Sequence, residues 1–270
     1  MRGLARRSAW LGVLAVGLAL YFAVLSTLIR TQNPNFVPAL ILLGAGVVPA
    51  SFLAFAQART GAWHVPAALL AVTAFFGGVI GVVVAGSLEY DALRDLGTLP
   101  TIVIAVIEES AKLLVPLLIL VAVLARRTRR VPSDGVLIGI ASGMGFAALE
   151  TMGYAFTALL RSQGSIGAVE ETLFVRGLTS PAGHTAWTGL TCGALWALIS
   201  SPGIRRALGF VVTFAGAVAL HAAWDSFGTG TAYVVLAVIS LGWLGLAMRR
   251  YRTFTPAPAR PVLARVRQPS

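Results

Sequence analysis

Apolar residues fall in eight runs, near 9–29, 36–56, 66–88, 100–124, 133–160, 180–199, 207–227 and 231–248, separated by short polar segments. Runs of about 18–25 residues cross roughly 30 Å of hydrocarbon as helix. The pattern predicts an all-α, polytopic integral membrane protein with about eight transmembrane helices. No soluble domain fits between the runs, so residues 1–248 read as one transmembrane unit, with its ionisable core in 100–228. The first run is long for a signal-peptide core and lacks a small-x-small cleavage site, so it reads as an anchor. The last segment, 249–270, is basic and Pro-rich ("YRTFTPAPARPVLARVRQPS" from Tyr251) and reads as a disordered cytoplasmic tail.

Composition agrees with the pattern: 57% of the 270 residues are hydrophobic and 11% charged, with a mean hydropathy of +0.83. The net charge of +11 invites a nucleic-acid reading, but the placement of the charges argues against it. With the N-terminus in the cytoplasm, sixteen of the 21 Lys and Arg lie on the inner side, "RRTRR" (126–130) included. Only Arg30, Arg94, Arg161 and Arg176 face out, and Lys112 sits in the membrane. That is the positive-inside rule for eight spans with both termini cytoplasmic. The basicity orients the chain and attracts anionic lipid, and no nucleic-acid partner is expected. Glu89, Asp91, Asp95, Glu170 and Glu171 fall in outer loops. The single cysteine, Cys192, excludes an intramolecular disulfide.

Against this background the run "IVIAVIEESAKLLVPLLIL" stands out, because Glu108, Glu109 and Lys112 interrupt it. Each ionisable group near a bilayer centre costs about 2.5–3.5 kcal/mol. The other spans add only Glu150, His184, His221 and Asp225. At 1.5 Å per residue, Glu108 lies about 12 Å, Glu150 about 15 Å, His221 about 9 Å and His184 about 5 Å from the outer ends of their spans. Antiparallel helices thus bring every one of these groups to the outer half, as a shared site requires. Lys112 falls between Glu108 and Glu109 around its helix, one turn on, with its stem leaning back toward them. Gly135, Gly139 and Gly143 form a small-xxx-small stripe for close helix approach, and Glu150 continues that stripe. His221 and Asp225, four apart, share a face.

Four carboxylates against one lysine leave an excess of negative charge in a low-dielectric region. Such a cluster must hold protons, admit water or bind a cation. Two imidazoles and a carboxylate are a ligand set for catalytic zinc, which lowers the pKa of bound water to about 7 and leaves a spare glutamate as general base. A metal-free site in which a glutamate activates water directly uses the same residues. Bland readings exist for each residue. They are a structural ion pair for Glu108 and Lys112, an interhelical hydrogen bond for Glu150, a structural imidazole for His184 or His221, and solvation for Asp225. His64 reads as a loop residue without a role, and Trp187 and Trp224 as interfacial anchors first and as walls of the site second.

Four short pieces, "EESAK" (Glu108, Glu109, Lys112), "FAALE" (Phe146, Glu150), "GHTAWTG" (His184) and "HAAWD" (His221, Asp225), follow one another on successive spans. In kind and order they resemble the PrsW family of bacterial intramembrane proteases, distant relatives of the CAAX-prenyl-protease and bacteriocin-processing group. The resemblance spans Glu108 to Asp225 and leaves the first three runs without a motif. It implies a multi-pass endopeptidase of the bacterial cell membrane. Such an enzyme makes the first, extracytoplasmic-side cut in a single-pass substrate such as an anti-sigma factor. It further implies Glu108 or Glu109 as the water-activating base, with Lys112 holding the pair ionised. Glu150, His184 and His221 become the metal-facing groups, with zinc the expected ion, and Asp225 and Phe146 the supporting groups behind them.

Two other classes compete. A proton-coupled transporter also buries carboxylates, a lysine and histidines. It shows repeat symmetry and helices broken near the midplane, neither of which the sequence displays. It predicts pH-gradient-driven flux without proteolysis. A non-enzymatic scaffold predicts that alanine at Glu108, Glu150 and His221 leaves function intact.

Overall fold

The computed structural model describes residues 2–126 and 131–252. Most of the "RRTRR" segment and the tail beyond Arg252 lie outside the described residues. The described residues form helices and connecting turns only: α1 (Arg2–Thr31), α2 (Val37–Thr60), α3 (Ala67–Leu96), α4 (Thr101–Ala111), α5 (Leu114–Ala125), α6 (Pro132–Arg161), α7 (Ile166–Thr179), α8 (His184–Ser200), α9 (Ile204–Ser226) and α10 (Gly230–Arg252). Six helices, α1, α2, α3, α6, α9 and α10, are long and apolar enough to cross a membrane. The outward surface carries large side chains such as Phe75, Leu118, Phe174 and Val238, which suits a hydrocarbon surround.

The two other expected spans take different forms. The fourth, near 100–124, is two short helices joined at Lys112–Leu113. Pro116 has no N–H to give to the Lys112 carbonyl one turn earlier. The Ser142 hydroxyl of α6 donates to that oxygen instead, at 2.8 Å. A carbonyl freed in an apolar interior is costly without such a donor, so the break and Ser142 belong together. The expectation that no helix is broken is therefore corrected. The sixth expected span begins at His184, after a 3-10 turn over Ser180–Ala182, and α8 is only 17 residues long. A further helix, α7, occupies the stretch that the hydropathy pattern assigns to an outer loop. Its start is fixed by Ser165, whose side chain accepts from the Ala168 N–H.

α6 is the central element, buried along much of its length and packed on α3 and α8. Its glycines decide this. A Cβ at Gly135 would meet the Trp196 side chain at 2.7 Å, one at Gly139 the Gly189 Cα at 2.9 Å, and one at Gly143 the His184 carbonyl carbon at 2.9 Å. The predicted stripe is thus the seam against α8. On another face Gly145 and Gly78 let α6 and α3 touch backbone to backbone. At the far end His64, read as a loop residue without a role, pairs its Nε2 with Asp134 Oδ1 at 2.8 Å and ties the α2–α3 connection to the first turn of α6.

Candidate active site

The site is built where α4 ends, α6 nears its C-terminus, α8 begins and α9 ends. Antiparallel packing puts these positions at one end of the bundle. α4 contributes three groups from adjoining turns. Lys112, with no exposed surface, sets its Nζ 2.8 Å from Glu109 Oε1 and 3.3 Å from Glu108 Oε2. Its ammonium also lies 4.3 Å from the centre of the Phe146 ring, on the electron-rich face. Gly81 of α3 keeps the space for that arrangement, since a Cβ there would fall 2.9 Å from the Phe146 ring.

The two histidines enter from α8 and α9. His184 Nδ1 is 2.7 Å from Lys112 Nζ, and its Nε2 is 2.9 Å from Glu150 Oε2. With Lys112 charged, Nδ1 accepts and Nε2–H donates to Glu150. His221 Nδ1 is 3.0 Å from Glu109 Oε1. Its Nε2 faces Glu108 Oε2 at 3.6 Å and Asp225 Oδ2 at 3.2 Å. Trp187 stacks on His221, with ring centres 5.0 Å apart, and donates its indole N–H to Ser240 Oγ at 2.9 Å. It is 1% exposed, a wall of the site and no interfacial anchor. Trp224 stands edge-on to it, 6.2 Å away.

The ligand atoms of Glu108, His184 and His221 all lie within 4.8 Å of one another. Zinc bonds of about 2.1 Å at tetrahedral angles separate ligand atoms by about 3.4 Å. Glu108 Oε2 is 3.6 Å from His221 Nε2 and 3.9 Å from His184 Nε2, an arrangement slightly wider than that. His184 Nε2 offers a lone pair only in the other tautomer, with the proton on Nδ1, the nitrogen 3.7 Å from Glu109 Oε1. Charge points the same way. Four carboxylates in contact with the imidazoles (Glu108, Glu109, Glu150, Asp225) face two cations (Lys112, Arg176). With neutral imidazoles this leaves two negative charges, which a divalent cation cancels. Glu109 Oε2, fully buried, finds no hydrogen-bond donor among the described residues. The residues present therefore fit a divalent metal.

Every residue singled out in the sequence reaches this cluster, but not in the expected grouping. Glu108 Oε2 stands within 3.9 Å of both histidines, whereas Glu150 Oε2 pairs with His184 alone and is also held by Arg176 Nη2 at 2.8 Å. Arg176 was expected to be a loop cation. It lies on α7, also bonds Thr151 Oγ1 at 3.4 Å, and covers the Tyr154 ring. Glu89 was likewise read as a loop residue. α3 runs on to Leu96 and keeps it half-buried, within electrostatic range of Glu108 and Glu150. Hydropathy alone hid both residues. A helical period through 166–179 was the one signal available for Arg176.

A cavity of about 110 Å³ adjoins the cluster, lined by His184, Arg176, Thr151, Trp187, Trp224 and Tyr233 among others. Buried imidazoles and carboxylates of a helical membrane protein thus converge, beside such a cleft, at a spacing that suits a metal ion. Residues 65–247 match the family model of the PrsW family intramembrane metalloproteases, and the chain belongs to that family of peptide hydrolases. The match runs from the start of α3 into α10 and includes all four motif pieces. No curated protein and no solved structure matches the chain.

Proposed function

We propose that the protein, as one polytopic unit over residues 1–248, cleaves a single-pass membrane protein such as an anti-sigma factor. The cut falls on the extracytoplasmic side of a bacterial cell membrane, with both termini of the enzyme cytoplasmic. The observation that carries this reading is the convergence of Glu108, His184 and His221 from three helices within 4.8 Å, in a chain of the intramembrane metalloprotease family. The proposed ligands are Glu108 Oε2, His184 Nε2 and His221 Nε2. When bound there, a zinc ion supplies an acidified water and polarises the scissile carbonyl.

The surrounding side chains have separable roles. Glu109 Oε1 accepts from His221 Nδ1–H, which fixes the tautomer with the Nε2 lone pair toward Glu108. Lys112 compensates both α4 carboxylates and spans between them. Glu150, at the more open margin and oriented by Arg176, takes the proton of the attacking water and returns it to the leaving amine. This exchanges two roles implied by the resemblance, because Glu108 becomes a ligand and Glu150 the base. What favours the exchange is that Glu108 Oε2 lies within 3.9 Å of both histidines, whereas Glu150 Oε2 pairs with His184 alone, at 2.9 Å. Asp225 Oδ2, at the solvent edge 3.2 Å from His221 Nε2, accepts that nitrogen's proton when no metal is bound, and Phe146 and Trp187 exclude water from the imidazoles.

The test pairs cleavage with metal content. Glu108→Gln and His221→Ala are expected to insert and purify normally, to lose cleavage, and to retain far less zinc. Glu150→Gln is expected to lose cleavage and keep its zinc. Full activity in Glu108→Gln or His221→Ala refutes the site. Zinc lost in Glu150→Gln but kept in Glu108→Gln returns the two glutamates to their first-assigned roles.

A further inference from the structure

The lining of the cleft beside the histidines comes in two parts. One is a run of rings from three helices. Trp224 of α9 stands edge-on to Trp187 of α8, and Tyr233 of α10 has its ring centre 4.8 Å from that of Trp224. Trp187 is held by its indole bond to Ser240 and its stacking on His221, so this wall is set before anything enters. The other part comes from α6 and α7, with Ala147, Thr151, Val175 and Thr179. His184 belongs to the lining as well, so whatever fills the cleft lies against a proposed metal ligand. α7 packs on α6 and α2, whereas α10 packs on α8, α2 and α9. Between α7 and α10, exposed Val175 and half-buried Tyr233 carry the margin of the cleft to the surface of the bundle.

We infer that this cleft, entered between α7 and α10, receives a substrate side chain flanking the scissile bond and selects a neutral one of no more than about four carbons. The inference rests on the proposed cleavage site. Size is its first ground. The cleft measures about 110 Å³, whereas an apolar cavity of about 150 Å³ holds a benzene ring. A Val or Leu side chain fits that space and an aromatic ring does not. Charge is the second ground. Among the described residues Arg176 is the one Lys, Arg, Asp or Glu of the lining. Its guanidinium is already engaged by Glu150, Thr151 and the Tyr154 ring. A charged substrate side chain would lose its water there and gain no free counter-ion, whereas an aliphatic one meets rings and methyl groups. Position is the third ground, since His184 is common to the lining and to the metal-site cluster.

The test reads binding apart from cleavage. In the full-length protein Val175→Cys puts a thiol at the margin of the cleft, while the native Cys192 is buried. Its labelling by a maleimide is timed after chelator treatment, against blocked pentapeptides Gly-Gly-X-Gly-Gly in which X is Val, Leu, Phe or Asp. The Val and Leu peptides are expected to halve the labelling rate at concentrations about tenfold below the Phe and Asp peptides. Adding Tyr233→Ala, which removes one ring of the wall, is expected to bring the Phe peptide level with Val. Val238→Cys, exposed on α10 and outside the lining, is expected to label at one rate with every peptide. Equal protection by all four peptides, no protection, or a Phe peptide still excluded after Tyr233→Ala overturns the inference. If Val175→Cys does not purify, Thr179→Cys in the same lining takes its place, and if Tyr233→Ala does not, the ranking of the four peptides decides. With zinc restored, the Val peptide is expected to raise KM for cleavage and leave kcat unchanged. Protection without that inhibition overturns the assignment to the scissile bond. The ranking without any cleavage counts against the cleavage site alone, and cleavage without the ranking against the cleft alone.

Discussion

Lys112 shows how a single residue is made tolerable in this interior. Its ammonium is wholly removed from solvent, yet it meets Glu108, Glu109 and His184 within 3.3 Å and the face of Phe146. A buried ion is destabilising chiefly when its partner is taken away. Lys112→Met is therefore expected to cost about 3–5 kcal/mol, because it leaves two carboxylates uncompensated. Adding Glu109→Gln to Lys112→Met is expected to recover about 1 kcal/mol or more, as coupled neighbours do. Equilibrium unfolding in mixed micelles measures both, and a Lys112→Met protein as stable as the wild type refutes the account. The Lys112–glutamate contact was legible, since i, i+3 and i, i+4 spacing dictates it. The Lys112–His184 contact was not, because 72 residues separate the pair and only packing sets their distance.

At the scale of elements, α6 carries the site by letting other helices come close. The four-residue glycine spacing pointed to such a seam, and α8 is the helix that fills it. Because His184 starts α8, any wedge between the two helices displaces a proposed ligand. Gly143→Val sets a branched side chain against the His184 backbone and Thr188. It is expected to cost about 1–3 kcal/mol and to depress cleavage beyond what the stability loss explains. Gly153→Ala, in the same helix with nothing within 4 Å of its Cβ, is expected to gain about 0.5–1 kcal/mol from helix propensity and to leave cleavage unchanged. Thermal unfolding and single-turnover cleavage of the two variants, side by side, separate packing from a general effect of losing glycine. The break between α4 and α5 belongs to this scale too. Pro116 was visible in the sequence, but its consequence depends on Ser142 standing opposite the Lys112 carbonyl. No local pattern encodes that.

For the molecule as a whole, the metal reading has a thermodynamic signature separate from catalysis. An ion that binds only the folded state adds RT ln(1 + [L]/Kd) to stability, about 2.7 kcal/mol at a hundredfold excess over Kd. Stripping divalent ions with a chelator is expected to lower the Tm of the wild type, and zinc to restore it. His184→Ala should show neither response. A scan in which chelation leaves the wild-type Tm unmoved counts against a metal held by this cluster. The same linkage joins helices distant in sequence. α4, α8 and α9 each supply one proposed ligand, so an ion held there would cross-link them.

The sequence alone determined the solvent of this protein and the identity of its chemistry. Long apolar runs admit only helices in a bilayer, and ionisable groups are too costly there to be scattered without use, so their common depth marked one site. The tertiary structure decided how the groups divide. It joined Arg176 of an unforeseen helix to Glu150, set Glu108 between both histidines and Glu150 beside His184 alone, and turned Trp187 inward as a wall. Those choices rest on distances of a few ångströms between helices far apart in the chain. Hydropathy and motif spacing describe each helix by itself, whereas side-chain contacts between helices depend on rotation and offset, which only packing fixes.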